Sequence, residues 1–285
     1  MTMQLDATPR TTTTTRVPPE VARSWLLLAA TRLDAVAVAG SAADAVVIDL
    51  EDAIDASRKE VERERVVRFL ESGGPAWVRV NDRTSAFWAG DVERLRGLPG
   101  LLGVVLAKTE EAAHVTETAE RLGGATRVVA LIESALGIEN AALIARSAGV
   151  FRLAFGSGDY RRDTGVANSE AALAYPRSRL VVASRVGGLP GPIDGPSVLD
   201  GAPIVTEQSR SAAALGLTGR LCLRETQVGI VNEVMAPSAE DVSWAVGFLD
   251  EFEEAGRVVR DGSDLPRLGR AEKILRLDRA FSAAG

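Results

Sequence analysis

The chain has 285 residues, with 33 basic and 39 acidic side chains and a net charge of −6 at pH 7. A negative balance argues against a protein that binds duplex DNA or an anionic membrane, because both need a basic surface. One cysteine, Cys222, and one histidine, His114, exclude a disulfide framework, a cysteine-built zinc site and a two-histidine metal site. No apolar run approaches the roughly 20 residues that span a bilayer. We therefore expect a cytoplasmic protein with no nucleic-acid or membrane partner.

The first 22 residues are expected to form a disordered tail. Residues 11–15 are all threonine and two prolines stand at 18 and 19, so this stretch offers little to bury. The segment also lacks the charged start, apolar stretch and small-residue cleavage site of a secretory signal.

Short apolar runs alternate with amphipathic stretches from residue 23 onward. Such runs are typical of strands buried on both faces of a parallel sheet. They cover residues 24–28, 45–49, 76–80, 103–107, 127–132 and 151–155, with weaker runs at 191–194 and 219–224. Helices are predicted between and after them at 57–70, 109–122, 137–148, 169–186, 206–215 and 238–256.

Eight strand–helix units in about 250 residues predict an α/β fold of the TIM (β/α)8 barrel type over residues 23–256. A doubly wound sheet is disfavoured, because no Gly-x-Gly-x-x-Gly turn follows the first strand. Residues 257–285 are predicted to form a C-terminal lid segment that ends in a helix over about 268–281.

Charged and polar residues stand at the end of nearly every predicted strand. Because the C-terminal strand ends of a barrel share one mouth, where active sites lie, we expect these groups to converge there. Asp49, Glu51 and Gly156 are candidates for contact with a substrate. The residues at the strand ends are Asp49, Glu51, Asp52, Arg79, Asn81, Lys108, Glu133, Asp159, Asp194, Arg224 and Glu225.

The residue types at the mouth favour a hard, oxygen-loving metal ion and a carboxylate ligand. Glu133 and Asp159 follow consecutive strands and suit Mg²⁺, with Mn²⁺ as an alternative. Arg79 carries a planar, charged fork that fits a substrate carboxylate. A metal ion and an arginine together can hold a 2-oxo acid and stabilise an enolate oxygen. These are the requirements for making or breaking a carbon–carbon bond beside a carbonyl. Lys108 is an alternative Schiff-base nucleophile, although its many acidic neighbours favour a structural ion pair.

Residues 47–54, VIDLEDAI, followed by Lys59 and Arg63, resemble the signature of the citrate lyase β-subunit family within the HpcH/HpaI aldolase superfamily. Further motifs follow in the family's order, and the resemblance covers residues 23–277. They are VRVN at 78–81, AKTE at 107–110, LIES at 131–134, FGSGD at 155–159, GLTGRLC at 216–222 with Gln227, APS at 236–238 with Ala245, GSDLP at 262–266 and AEKIL at 271–275.

The resemblance implies a barrel in which Glu133 and Asp159 bind Mg²⁺ and Arg79 binds a 2-oxo acid. It implies cleavage of a β-hydroxyacyl thioester, such as citryl-, malyl- or citramalyl-CoA, to acetyl-CoA and a 2-oxo acid. It further implies a homotrimer or hexamer, in which the lid of one subunit covers its neighbour's mouth. Asp264 is the lid residue that would take part in the reaction.

Several positions depart from the family's pattern. Ala29-Ala30 stands where the family has Pro-Gly, Arg224-Glu225 where it has His-Pro, and Gly158-Asp159 where it has Glu-Asp. Two alternatives to the lyase therefore stay open. One is a class II aldolase acting on a free hydroxy-oxo acid without CoA, and the other is a non-catalytic ligand-binding paralogue. The sequence leaves open the acid, the acyl carrier and the stereochemistry.

Overall fold

The structure is a computed structural model that describes residues 17–199 and 201–283. Two compact units divide the chain, the larger over residues 19–237 and the second containing residues 238–283. Of the predicted tail at 1–22, residues 1–16 lie outside the described residues. Pro19 to Ala22, by contrast, belong to the larger unit, where the Ala22 side chain is fully buried.

The larger unit is a closed barrel of eight parallel strands, which confirms the predicted TIM-barrel fold. Each strand pairs with the next along the chain, and β1 closes the barrel against β8. The strands are β1 (Ser24–Ala29), β2 (Ala45–Asp49), β3 (Ala76–Val80), β4 (Leu101–Leu106), β5 (Val128–Ile132), β6 (Val150–Phe155), β7 (Ile193–Asp194) and β8 (Gly219–Cys222).

Helices follow each of the strands. Those of the barrel unit are α1 (Ala35–Gly40), α2 (Lys59–Glu71), α3 (Trp88–Leu95), α4 (Ala112–Arg121), α5 (Ala135–Ile144), α6 (Ser157–Thr164), α7 (Glu170–Val186), α8 (Ala202–Ala214) and α9 (Glu225–Val234). The sequence interpretation missed α1, α3, α6 and α9. Because α9 directly follows β8, the helix expected over 238–256 is not the one that completes the last β/α unit.

Two-residue periodicity along the strands separates the barrel interior from the layer beneath the helices. Val47 and Trp77 face the interior, whereas Ile48 and Val78 pack in the layer that also contains the helices' buried side chains. A tryptophan fits inside the barrel because the neighbouring strand has Gly103, where a Cβ would lie 2.2 Å from the Trp77 ring.

Arg152 on β6 lies fully buried at the N-terminal end of the barrel, where it holds residues 19–22 by hydrogen bonds to two of their carbonyls. Its guanidinium donates to the carbonyls of Pro19 (3.2 Å), Ala22 (2.9 Å) and Gly191 (2.6 Å) and to Thr218 Oγ1 (2.9 Å). Burial lowers the pKa of Arg152 to about 9. These carbonyls are the partners that make a buried guanidinium tolerable.

The second unit contains a pair of helices, α10 (Ala239–Glu254) and α11 (Asp264–Ser282). Helix α10 begins with a capping box, in which Ser238 and Asp241 exchange hydrogen bonds. The two helices bury a shared apolar seam that includes Phe248, Phe252 and Ile274. In the part of the chain that the structure describes, no helix has the length and apolar character needed to cross a membrane.

Candidate active site

The strand period places four of the predicted residues in one layer at the C-terminal mouth of the barrel. Asp49, Arg79, Glu133 and Gly156 each stand two positions after a side chain of the barrel interior. Asp49 and Arg79 are register partners on β2 and β3, and the Gly156 amide donates to the carbonyl of Ile132 on β5 at 2.9 Å. The preceding interior residues are Val47, Trp77, Leu131 and Ala154.

Arg79 is held in the mouth by acidic neighbours. Its guanidinium donates to both oxygens of Asp49, at 2.7 and 2.6 Å, and its Nη1 lies 3.1 Å from Glu51 Oε2. Burial acts to lower the pKa of Arg79, but the charges of Asp49, Glu51 and Glu133 outweigh it and raise the pKa above its usual value. The guanidinium is therefore a permanent, oriented cation, with Asp49 and Glu51 as its partners.

A buried network fixes the loop that follows β2. Lys59 Nζ donates to the carbonyls of Leu50 (3.0 Å) and Glu51 (2.8 Å) and to Asn81 Oδ1 (2.6 Å). Asn81 in turn donates to the Leu50 carbonyl (3.1 Å) and to Asp91 Oδ2 (2.6 Å). Sequence reasoning missed Asp91, which lies on α3, a helix that was not predicted. The network holds the Glu51 backbone beside Arg79.

Glu133 is almost completely buried, with 5% of its surface exposed. Its Oε1 accepts the main-chain N–H of Lys108 at 2.7 Å. Burial raises the pKa of Glu133 to about 8, although the Lys108 N–H and the charge of Arg79 act in the opposite direction. A cation bound close to Glu133 would lower this pKa, because a positive charge favours the ionised carboxylate.

Asp159, in the first turn of α6, places an oxygen without a hydrogen bond in the same mouth. Its Oδ1 lies 3.0 Å from Arg162 Nη1, whereas its buried Oδ2 has no hydrogen-bond partner among the described residues. Glu133 and Asp159 both line a cavity of about 220 Å³. No group of three or more His, Cys, Asp or Glu side chains in residues 17–199 and 201–283 is placed to hold a metal. The two carboxylates fit a Mg²⁺ ion, which takes one or two carboxylates and completes its shell with water and substrate.

A larger cavity of about 790 Å³ reaches the same mouth beside β1 and α1. Asp49, Asp52 and Arg79 lie at its polar end, and its other walls are mostly apolar. The unusual positions Ala29, Arg224 and Glu225 all line this cavity, and Arg32 is its third arginine beside Arg79 and Arg224. Glu225 accepts hydrogen bonds from Ser41 Oγ (3.0 Å) and the Ala42 amide (3.0 Å), which fixes the loop after α1.

Asp194 does not join the mouth cluster, so the expectation that it converges there is wrong. Its carboxylate is fully buried and bonded to Arg177 Nε at 2.9 Å and Arg220 Nη1 at 2.7 Å. The adjacent Ile193 takes the interior position, so Asp194 faces the other way.

Asp264 belongs to the C-terminal unit, at the start of α11. Its Oδ2 accepts the main-chain N–H of Arg260 at 2.8 Å. Hydrogen bonds from Arg260 lower the pKa of Asp264. Its proposed role at a neighbour's mouth stays a prediction.

Residues 23–224 match the family described as HpcH/HpaI aldolase/citrate lyase, and residues 240–282 match the HpcH/HpaI aldolase C-terminal domain. The citrate lyase subunit beta-like protein of Deinococcus radiodurans is 30% identical, over 90% of this chain and 98% of that protein. The mitochondrial citramalyl-CoA lyase of Homo sapiens is 30% identical, over 82% of this chain and 78% of that protein. The crystal structure of CitE from Mycobacterium tuberculosis in complex with magnesium, acetoacetate and coenzyme A has a TM-score of 0.74 and 27% identity, over 93% of this chain and 99% of that chain.

Proposed function

The chain belongs to the HpcH/HpaI aldolase/citrate lyase family, and from this premise we propose that it is a Mg²⁺-dependent carbon–carbon lyase of CoA thioesters. Membership confirms the resemblance read from the motifs, and the predicted enzyme class agrees with relatives that are named as lyases. The proposed substrate is a β-hydroxyacyl-CoA thioester such as citryl-, malyl- or citramalyl-CoA. Cleavage of this thioester gives acetyl-CoA and a 2-oxo acid, and the reverse reaction forms the thioester from them.

The metal part of the proposal is carried by the buried Oδ2 of Asp159, which accepts no hydrogen bond from the described residues and lies in a cavity shared with Glu133, in the same mouth as Arg79. Glu133 and Asp159 would hold the ion. When bound, Mg²⁺ would supply positive charge that stabilises the negative charge on the hydroxyl oxygen that becomes the carbonyl of the 2-oxo acid. Magnesium in the M. tuberculosis CitE complex supports this ion, and Mn²⁺, which takes the same oxygen ligands, is a substitute.

Arg79 is the group proposed to bind the carboxylate of the 2-oxo acid. Its buried fork can form two parallel hydrogen bonds to a carboxylate. Asp49 and Glu51 keep the fork oriented toward the mouth, and each would have to share it with the substrate. Gly156 leaves the space that the Glu133 side chain fills, so its proposed contribution to substrate binding is that it allows Glu133 to lie in the mouth.

The larger cavity supports a substrate with a long carrier arm. At about 790 Å³, it is within the range of pockets that bury most of a drug-sized ligand, and larger than a small oxo acid needs. Arg32 and Arg224 provide positive charge on its walls, which suits the phosphates of CoA. Coenzyme A in the M. tuberculosis CitE complex supports the same carrier for this chain.

The proposed cleavage starts at the β-hydroxyl group of the thioester. A base takes the proton of the β-hydroxyl group, and the oxygen's electrons form the carbonyl of the 2-oxo acid. The bond between the α- and β-carbons breaks, and its electron pair passes to the α-carbon as the enolate of the thioester, which takes up a proton at that carbon to give acetyl-CoA. Arg79 holds the departing acid in place, and Asp264 is the residue proposed to exchange a proton with the substrate.

Three further features belong to the proposal. The protein is a cytoplasmic homotrimer or hexamer, and residues 257–285 form a lid that covers the mouth of a neighbouring subunit. A lid is expected because enolate chemistry benefits from exclusion of water.

The test is an assay of the purified protein with Mg²⁺ and each of the three CoA thioesters, with acetyl-CoA and the 2-oxo acid quantified by mass spectrometry. Cleavage of at least one thioester, lost in Glu133→Gln and Asp159→Asn, is the expected result. Cleavage of free hydroxy-oxo acids alone would support the aldolase instead. Binding of 2-oxo acid without turnover of either substrate class would support the non-catalytic paralogue.

A further inference from the structure

Lys108, two residues after the end of β4, places a cation among carboxylates from two other loops of the mouth. Its ammonium donates to Glu51 Oε1 and lies 3.5 Å from Asp52 Oδ1, both after β2. It also lies 3.9 Å from Asp159 Oδ2, the buried oxygen without a hydrogen bond. One side chain therefore bridges the β2 loop and the first turn of α6.

The backbone of Lys108 adopts a conformation that a lysine rarely takes. Its φ of 46° lies in the left-handed region, which among the described non-glycine residues only Lys108 and Arg257 enter. This turn directs the Lys108 N–H to Glu133 Oε1 at 2.7 Å. Thr109 fixes the turn, because its amide donates to the Leu131 carbonyl and its hydroxyl to the Leu106 carbonyl. Strain of this kind is maintained at functional sites by the surrounding structure.

The main chain and the side chain of Lys108 thus act on the two carboxylates that suit Mg²⁺. The main chain orients Glu133, whereas the ammonium lies beside the Asp159 oxygen that a metal ion would take. A divalent ion bound there would stand next to the ammonium, and like charges in a partly buried site repel. The ammonium and the metal therefore compete for Asp159.

We propose that Lys108 is a positioning residue whose ammonium keeps the metal-free carboxylates together and opposes Mg²⁺ binding until an anionic substrate arrives. The inference rests on the proposed metal site. The bound acid then provides the ammonium with a new anionic partner, so Lys108 couples the binding of metal and acid. Pyruvate is a suitable probe, because it is the simplest 2-oxo acid.

The experiment measures Mg²⁺ affinity by calorimetry, with and without pyruvate, in the parent protein and in Lys108→Met. We expect Lys108→Met to bind Mg²⁺ alone about tenfold more tightly, because a neighbouring positive charge is removed. Pyruvate is expected to tighten Mg²⁺ binding less in the variant than in the parent. Unchanged or weaker Mg²⁺ binding would overturn the proposal, since it would mean that the ammonium only supports the carboxylates.

Arg162→Gln is the matched control, because Arg162 lies 3.0 Å from the other oxygen of Asp159 but is 73% exposed. Its removal should change Mg²⁺ affinity much less, since solvent screens an exposed charge. An equal gain in both variants would overturn the specific role of Lys108. Lys108→Gly removes the same amine while tolerating the left-handed backbone, and it should reproduce the affinity of Lys108→Met even if the methionine variant folds poorly.

Glu133→Gln separates this inference from the proposed function. If the parent binds Mg²⁺ and Glu133→Gln does not, the metal site stands and only the role of Lys108 is decided by its variants. If the parent does not bind Mg²⁺ even in the presence of pyruvate, or Glu133→Gln binds it equally well, both proposals fail.

Discussion

The carboxylate of Glu133 occupies the space in which a side chain at position 156 would begin. A Cβ built on Gly156 would come within 2.2 Å of Glu133 Oε2 and 2.4 Å of its Cβ. The two residues stand next to one another in the mouth layer, on the strand ends of β5 and β6. Gly156 is therefore required for close approach, since even the smallest side chain would displace the carboxylate from its place beside the Lys108 N–H.

Gly156→Ala is expected to weaken Mg²⁺ binding by about tenfold or more, because overpacking shifts buried groups at a typical cost of roughly 1–3 kcal/mol. Calorimetric titration of Mg²⁺ measures the effect. Gly158→Ala is the control two residues later, because its added Cβ would meet nothing within 4 Å. Equal Mg²⁺ affinity in the two variants would show that Glu133 is not a ligand or that it moves at little cost.

Arg79→Lys is expected to weaken the binding of oxaloacetate although the charge is retained. A lysine loses the two-pronged donor geometry, and a hydrogen bond to a charged group is worth roughly 1.5–3 kcal/mol. Binding is measured in the presence of saturating Mg²⁺. Arg94→Lys provides the comparison, because Arg94 also forms a two-pronged pair, with Glu64 on the surface. If Arg79→Lys binds oxaloacetate like Arg94→Lys, Arg79 does not bind the acid.

The barrel and the mouth layer could be predicted from the sequence because both depend on simple periodicities. Apolar runs separated by amphipathic stretches indicate parallel strands, and the two-residue period then points Arg79 and Glu133 into the same mouth. The direction of the Asp194 side chain could not be predicted in this way, because β7 has only two residues and its alternation is too short to show which residue faces the barrel interior. The left-handed turn at Lys108 could not be predicted either, since it depends on hydrogen bonds to residues far away in the sequence.

The elevated pKa of Glu133 predicts how the metal-free protein responds to pH. Its folded-state pKa of about 8 lies above the usual value of 4.5 for a glutamate, so the protonated, neutral side chain stabilises the fold relative to the ionised one. This contribution is complete below the unfolded-state pKa and is lost as the pH rises through about 8, at no more than about 1.4 kcal/mol per pH unit. The free energy of unfolding without metal should therefore decline from about pH 5 to pH 8.

Denaturant unfolding over this pH range tests the prediction, with Glu133→Gln as the variant that lacks the titrating group. The decline should be smaller in Glu133→Gln. Mg²⁺ should stabilise the parent more at the alkaline end, where the carboxylate is available without loss of a proton. The same pH dependence in parent and variant would assign the effect to other groups.

Asp264 is predicted to serve the barrel mouth of a neighbouring subunit. The hydrogen bonds from Arg260 lower its pKa, so its carboxylate is ionised at neutral pH and able to accept a proton. Asp264→Asn should therefore fold and bind Mg²⁺ but lose most lyase activity. Asp261→Asn is the matched control, because Asp261 lies in the same segment between α10 and α11 and its carboxylate accepts hydrogen bonds from Ser263.

Mixed oligomers decide whether Asp264 acts across subunits. Asp264→Asn provides an intact barrel mouth, and Glu133→Gln provides an intact lid, so co-expression should create some sites in which both groups are native. Each variant alone should be inactive, whereas the co-expressed mixture should recover part of the parent's activity. Activity that stays absent in mixtures of folded, oligomeric variants would place the lid over its own barrel or remove Asp264 from the reaction. A protein that is monomeric at assay concentration would exclude the arrangement, because the mouth would then have no neighbour from which to receive the carboxylate.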